Sequence, residues 1–446
     1  MLVNQDPEPI RIAPAKPNAD GLLAVGEISH LAEHLFRHEA GKLVSVLTNI
    51  FGIDRLQLAE DVVQEAMVRA LKTWPYYGIP KNPAAWLTHT AKNLALDTIR
   101  REKVFQDKQP QIIGVIEQWG DDGDDTNSPA FENELKDGRL RLMFACCHPL
   151  IAQESQTALA LKTLCGFSPA EIAKAFLTSE AAIAKRLTRA RQKIRELQLP
   201  FEIPSGEELS PRLDGVLQTL YLLFNEGYKA SSGENLVREE LCSEAIGLAE
   251  ALAEHPAGNL PRTHALVALM LLNGARLTTR TDAEGNILRL EEQDRSRWSQ
   301  PMIARGLFHL AQSAAGTEIS EYHLQAGISA CHSMAKNYAA TDWAQILAMY
   351  DQLVEFDDSP VVALNRAVAI AQVRGPRVAI EAVSAIQNLQ SLESYYLLYA
   401  VLAEFETQLG NFPAAASHLR KAIQLTEIQS ERALLAKRLL VCEKHF

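Results

Sequence analysis

Apolar residues recur at three- and four-residue intervals almost from end to end of this chain, and that pattern excludes most folds. A half-buried strand alternates with period two, whereas a helix with one buried face repeats near 3.6 residues. Leu31, Leu35, Leu43, Val44, Leu47 and Ile50 form one such stripe. Leu56, Leu58, Val62, Val63, Ala66, Met67 and Leu71 form a second, and Trp86, Leu87, Ala91, Leu94, Ala95 and Ile99 a third. From Leu213 the helical spacing resumes and runs to the end. The expected fold class is therefore all-α. With 446 residues, 47% of them hydrophobic, the chain is too apolar to be disordered. It is also too long for one core, which stops growing at roughly 250–300 residues. Two to four domains are expected.

Breaks in the pattern divide the chain. Residues 1–24 are polar and Pro-rich and read as a flexible tail rather than a signal peptide. PYYGIPKNP, residues 75–83, reads as a rigid loop inside a helical block that spans 25–105. Residues 106–136 contain DDGDDTNSP and read as an acidic linker. A second helical block covers 137–198, and Pro, Gly and Ser mark a boundary over 198–213. Within a helical segment at 199–330, the stretch RLTTRTDAEGNILRLEE at 276–292 carries a turn signal between β-prone arms and predicts a short hairpin. Over 331–446 a weak repeat emerges. YAVLAEFETQLGNFPAAASHLRKAIQLT fits the 34-residue helix-turn-helix repeat, with Ala403, the turn Gly410-Asn411-Phe412, and Ala415, Leu419 and Ala422 in register. Near-repeats upstream hold Ala367 and Ala379, then Trp343, Ile346, Tyr350 and Leu353. Ordinary helical hairpins in a bundle are the alternative.

Charge is unevenly spread. The net charge of −11 is almost all in the C-terminal half: residues 201–446 stand at −10 and residues 1–200 at −1. Inside the N-terminal part, residues 106–137 hold two basic and nine acidic residues, which leaves the remainder at +6. A basic half broken by an acidic segment suggests separate jobs for separate segments. The six cysteines, Cys146, Cys147, Cys165, Cys242, Cys331 and Cys442, lack framework spacing, so a reduced, cytoplasmic protein is expected. Cys146-Cys147-His148 has no second Cys/His pair at ligand spacing, so a buried apolar pair is favoured over zinc. No apolar run reaches the ~20 residues of a membrane span.

The strongest local signal is GFSPAEIAKAFLTSEAAIAKRLTRARQKIR, residues 166–195. Ser168 suits the cap of a short helix with Ile172, Ala173 and Phe176 on its apolar side. Leu177-Thr178-Ser179 suits a turn, with Ser179 capping a second helix that turns Ile183, Leu187, Ala190 and Ile194 inward. Lys185, Arg186, Arg189, Arg191, Lys193 and Arg195 then cover the outside. That is a helix-turn-helix layout, whose second helix fits a major groove. Its cations meet phosphates or guanine edges. A solvated basic helix would share the cations but not the spacing and both caps. A second segment, DRLQLAEDVVQEAMVRALKTW at 54–74, sets an apolar face of Leu56, Val63, Ala66, Met67 and Ala70 against Glu60, Asp61, Gln64 and Glu65. Such a face repels phosphates and fits a basic protein partner; by charge alone, simple solvation explains it as well.

These two segments carry a resemblance. AEDVVQEAMVRALKTW followed by PAAWLTHTAKNLALDTIRREK resembles region 2 of sigma-70-type transcription factors, most closely the extracytoplasmic-function subgroup. GFSPAEIAKAFLTSEAAIAKRLTRARQKI resembles region 4 of that subgroup, and the order matches. RLMFACCHPLIA, LYLLFNEGYKAS and LEEQDRSRW resemble a subgroup with a helical, tetratricopeptide-like C-terminal extension.

The resemblance implies roles. Core RNA polymerase would be the main partner, met through its β′ clamp helices by Glu60, Asp61, Gln64 and Glu65, and through its β flap by region 4. Promoter DNA would be the second. Thr73 and Tyr77 would wall a pocket for a flipped −10 base, where stacking offsets unstacking. Asn93 and Asp97 would meet the opened −10 strand, and Arg100, Arg101 and Lys103 the upstream phosphates. Trp86 takes the place of a core tryptophan. For the −35 duplex, Lys185, Thr188 and Arg189 would face bases, Arg186 and Arg191 the backbone, with Ser179 at the helix start. Asp121, Asp122, Asp124 and Asp125 would line polymerase channels as nucleic-acid mimics or serve as a solvated tether.

The C-terminal half shows no nucleophile–base set, HExxH, P-loop or GxGxxG. No catalytic activity, cofactor or metal is expected. The polar runs Asn225-Glu226-Gly227-Tyr228 and Gln293-Asp294-Arg295-Ser296-Arg297-Trp298 fit a ligand or peptide groove, or hydrogen bonds that hold helices together. A protein partner on the repeats is a further expectation. The rival functions are a helix-turn-helix regulator acting without core polymerase and a ligand sensor in the C-terminal half.

Overall fold

The computed structural model describes residues 25–101, 113, 129–176, 178–197, 208–230, 237–282, 284–356 and 358–445. The N-terminal tail, Leu177, Lys103 and the linker aspartates Asp121, Asp122, Asp124 and Asp125 lie outside them. Among the described residues there are eighteen α-helices and no strand, as the all-α expectation requires. The chain forms two compact units. The first takes Met1–Cys146, Leu150–Ser168 and Ala184–Glu202; the second takes Cys147–Pro149, Pro169–Ile183 and Ile203–Phe446.

The first unit begins with α1 (Val25–Phe51), which stops at Gly52, whose φ of 89° strains any other residue. After a short turn come α2 (Leu56–Tyr77) and α3 (Pro83–Arg101). Their stripes are buried much as the spacing predicts, through Leu43, Val44 and Leu47, then Val62, Val63 and Ala66, then Leu87, Ala91 and Ala95. The inner face of α2 is rotated from one expectation. Leu71 is 47% exposed, and Trp74 is 1% exposed, with its ring 5.7 Å from Phe36 and 5.6 Å from Trp86. The loop expected from residue 75 starts only at Gly78. Pro75 lies in the last turn of α2, which the Gly78 N–H closes by donating to the Trp74 carbonyl at 2.9 Å.

Next, α4 (Pro129–Cys146) takes in the last eight residues of the expected linker. Pro129 suits a first helical position, and the following AFENEL holds no helix breaker, so charge and a lack of stripe had disguised a helix. The unit centres on α5 (Gln153–Cys165), buried on nearly every side. A Cβ at Gly41 of α1 would sit 1.9 Å from the Leu164 carbonyl oxygen, so the two backbones meet there with no room for a side chain. Cys146 and Cys147 are both wholly buried, and burial pushes the Cys147 thiol up to about 12, which keeps it protonated and a poor metal ligand. All six cysteines are free thiols.

The helix-turn-helix is built from α6 (Pro169–Ala175) and α7 (Glu180–Leu197). Between them Thr178 N–H donates to the Ala173 carbonyl at 2.9 Å, and the Ser179 hydroxyl accepts from Ala182 N–H at 3.3 Å. Ile183, Leu187, Ala190 and Ile194 are buried, as the spacing predicts.

In the second unit, α8 (Ser210–Tyr228), α9 (Glu239–Glu254) and α10 (Pro261–Gly274) form a first layer. In α10 the run Ala265–Leu272 is buried all round, which marks a central helix. Then follow α11 (Gln300–Ser313) and α12 (Glu321–Met334). Ile328 of α12 belongs to one core cluster and Ala330 to another, so the expected boundary at 330/331 falls inside a continuous helix that joins both sides. The hairpin expected at 276–292 shrinks to one bridge, Thr281 with Ile287. Asp282 explains why: its carboxylate accepts from the N–H of Glu284 and Asn286 and folds a tight loop, while the arms find no further strand to pair with.

Six helices complete the chain: α13 (Trp343–Phe356), α14 (Pro360–Arg374), α15 (Pro376–Ser384), α16 (Tyr396–Gln408), α17 (Phe412–Leu425) and α18 (Gln429–Glu443). The small register positions are buried: Ile346, Ala367, Ala379, Ala403 and Ala415 are all at 0% exposure, where neighbouring helices cross. Gly410 makes the turn between α16 and α17 at φ 75°.

Candidate nucleic-acid and partner interface

Three helices carry the candidate residues, all in the first unit except Ser179 at the head of α7. On α2, Asp61, Gln64 and Glu65 are exposed one turn apart. Gln57 donates to Asp61 at 2.9 Å and Arg69 to Glu65 at 3.2 Å, which holds the carboxylates in place without covering them. Glu60 points elsewhere. Its side chain is 12% exposed, and it accepts from the Thr163 hydroxyl at 2.8 Å and from Arg191 at 2.9 Å. The acidic stripe is therefore three residues wide, and Glu60 ties α2 to α5 and α7. Beside that tie a cleft of about 340 Å³ opens, lined by Phe36, Val63, Gln64, Met67 and Lys162 among others.

The end of α2 displays aromatic surface. Tyr77 is 68% exposed and its neighbour Tyr76, which the sequence reading passed over, is 80% exposed. The signal for Tyr76 was available: two tyrosines directly after a proline at a helix end. Thr73 is half-buried, and its hydroxyl donates to the Arg69 carbonyl at 2.6 Å. On α3, Asn93 and Asp97 are exposed on one face, with Asn93 held 3.2 Å from His89 Nδ1. Arg100 and Arg101 are exposed in its last turn. Trp86 is half-buried and packs edge-on against Trp74, so Trp74 is the fully buried ring of the pair.

On α7, Lys185, Thr188 and Arg189 are exposed at helical neighbour spacing, a patch suited to base edges. Arg186 and Arg191 are turned toward protein: Arg186 pairs with Glu154, and Arg191 with Glu60. The helix thus divides its cations into an open set and a set engaged with its own unit. No group of three or more His, Cys, Asp or Glu at metal-ligand spacing occurs among the described residues, nor is any described helix long and apolar enough to cross a membrane.

Two helical modules, one acidic and aromatic, one a basic helix-turn-helix, fit a DNA-binding protein. The comparisons agree. Residues 35–104 match the family model for sigma-70 region 2, and residues 141–194 match that for sigma-70 region 4. Residues 212–314 match a family of unknown function (DUF6596). An uncharacterized protein of Rhizobium meliloti (strain 1021) is 37% identical over 389 residues, which cover 86% of this chain and 90% of that one. No solved structure matches. The chain belongs to the sigma-70 family, as a sigma factor of the extracytoplasmic-function type with a C-terminal extension, and its work is promoter recognition.

Proposed function

We propose that the protein binds core RNA polymerase through the exposed stripe Asp61, Gln64 and Glu65, docked on the basic β′ clamp helices, while region 4 meets the β flap. Tyr76, Tyr77, Asn93, Asp97, Arg100 and Arg101 then engage the opened −10 element, and Lys185, Thr188 and Arg189 read the −35 duplex. The observation that carries this reading is that the exposed stripe Asp61, Gln64 and Glu65 on α2 stands in the same chain as the exposed base-facing set Lys185, Thr188 and Arg189 on the second helix of a helix-turn-helix. A regulator acting without core polymerase has no use for the acidic stripe. Glu60, Arg186 and Arg191 serve the unit itself, and they reach polymerase or phosphate only if their pairs open. The test is run-off transcription with purified core on a cognate promoter. Asp61→Arg with Gln64→Arg is expected to fold and to lose core binding; unchanged affinity for core refutes the docking.

The extension has a part in the same work. Residues 169–183, with the first helix of the helix-turn-helix, belong to the same compact unit as the extension. Arg238 sits 3.2 Å from both Glu171 of α6 and Glu226 of α8, and those two carboxylates are buried. A partly buried cation between two buried carboxylates positions α6 firmly. The extension therefore assists −35 recognition by holding one half of the motif. Arg238→Ala is expected to weaken −35-dependent binding while core binding is kept; unaltered promoter affinity rules the assisting role out.

A further inference from the structure

The polar run at the end of α8 meets the segment that follows α10 in the second unit, and the two bring cations together. Arg276 and Arg280 lie 5.4 Å and 3.9 Å from the centroid of the Tyr228 ring. Arg280 donates to the Tyr228 carbonyl. The adjacent Lys229 is 3.2 Å from Glu431 and 3.1 Å from the Tyr396 hydroxyl. Arg295 donates to the carbonyls of His332 and Ala335 at 2.6 and 2.9 Å and to the Thr341 hydroxyl at 3.2 Å. Its role is plainly structural, as is that of Asp294, which caps Ser296 at 3.0 Å.

The charges do not balance. Among the described residues, Lys229, Arg276, Arg280 and Arg295 face one carboxylate within ion-pair distance, Glu431, and it serves Lys229. Among the described residues, the Arg276 guanidinium has no hydrogen-bond or ion-pair partner. Its Nε, the Tyr228 hydroxyl and His332 Nδ1 are buried polar atoms without a partner. Burial first, then the guanidinium of Arg276, pushes Arg280 down, and the same causes with Arg295 push His332 down to about 3. Buried charge is costly to retain unless something answers it. Tyr228, Arg276, Arg280 and Arg295 are each only partly buried as whole residues.

We propose that Arg276, Arg280 and Tyr228 form a binding site for the phosphate group of a small phosphorylated molecule. Guanidinium forks match phosphate oxygens two at a time, and the Tyr228 hydroxyl supplies a further donor. The excess of positive charge suits a dianion better than a single carboxylate. The site couples the first helices of the extension to the loop after α10, so its ligand would stiffen the unit that holds α6.

The test uses the full chain, titrated with inorganic phosphate at constant ionic strength against chloride and, separately, against acetate. Phosphate is expected to raise the midpoint of the second unit's own unfolding transition saturably, by roughly 3–6 °C at ten times its Kd in a domain of this size. Arg276→Gln is expected to abolish the rise without lowering the phosphate-free midpoint, because it removes an unanswered charge. Arg305→Gln, which deletes a cation paired with Glu250, is expected to keep it. A general salting effect would act on all variants alike and without saturation. Absence of a saturable rise, or an equal rise in Arg276→Gln, overturns the site. A lower phosphate-free midpoint in Arg276→Gln shows Arg276 to be structural and overturns it too. An equal rise with acetate that is lost in Arg276→Gln overturns the assignment to phosphate.

Discussion

Removing the Glu60 carboxylate asks whether the tie between α2, α5 and α7 is energetic or incidental. In Glu60→Ala the Thr163 hydroxyl, on a residue only 2% exposed, loses its acceptor. A buried donor left unsatisfied costs about 1–3 kcal/mol. Arg191 keeps 20% of its side chain exposed and rehydrates in part, so its loss adds under about 1 kcal/mol. The expected sum is about 2–3 kcal/mol. A two-unit chain does not unfold as one transition, so a global midpoint is the wrong readout. Hydrogen exchange of the amides in α5 and α7 reports the local opening instead. They are expected to exchange roughly 30–150 times faster, since each 1.4 kcal/mol is tenfold. Glu60→Gln keeps an oxygen for Thr163 and is expected to lose less than half of this. Glu60→Arg combined with Arg191→Glu restores opposite charges and is expected to recover part of the protection. Exchange within threefold of the parent protein in Glu60→Ala would refute the argument, because the carboxylate would then be holding nothing.

Two further outcomes follow from the same geometry. Arg189→Ala, which deletes an open base-facing cation, is expected to relax discrimination at one −35 position by roughly 1–3 kcal/mol in competition binding, whereas Arg186→Ala, which deletes a cation paired with Glu154, is expected to leave both the discrimination and the salt slope of promoter binding unchanged. Gly41→Ala forces a Cβ against the Leu164 backbone, where neither side has a flexible tip to yield; a loss of about 3 kcal/mol is expected, seen as a fall of roughly 6–12 °C in the melting of the first unit.

Much of the exposure pattern of the candidate residues is legible in the sequence. Ile183, Leu187, Ala190 and Ile194 recur at helical spacing, so the opposite face of α7 had to carry Lys185, Thr188 and Arg189. The same holds for Asn93 and Asp97 on α3. The direction of Glu60 was not legible. Glu60, Asp61 and Glu65 look alike in sequence, and one helical step of about 100° separates a solvated carboxylate from a buried one only once α5 and α7 are in place. Leu71 left the expected stripe for the same reason, and Trp74, to which the spacing gave no part, is buried instead, because the stripe on α2 is wide enough to be turned either way. At 276–292 the turn signal was true, but strand arms need partners, and the neighbouring helices offered none.

By itself, then, the sequence determined the helices, their inward faces, the helix-turn-helix and the family, because each rests on backbone geometry within a turn or two. Only the tertiary structure decided which charges are answered. The Glu60–Arg191 pair spans 131 residues and Arg238 reaches Glu171 across 67. Arg276 and Arg280, by contrast, gather at Tyr228 and find no carboxylate among the described residues. Coulomb energy and desolvation depend on separations of a few ångströms between distant segments, and no local periodicity encodes those distances.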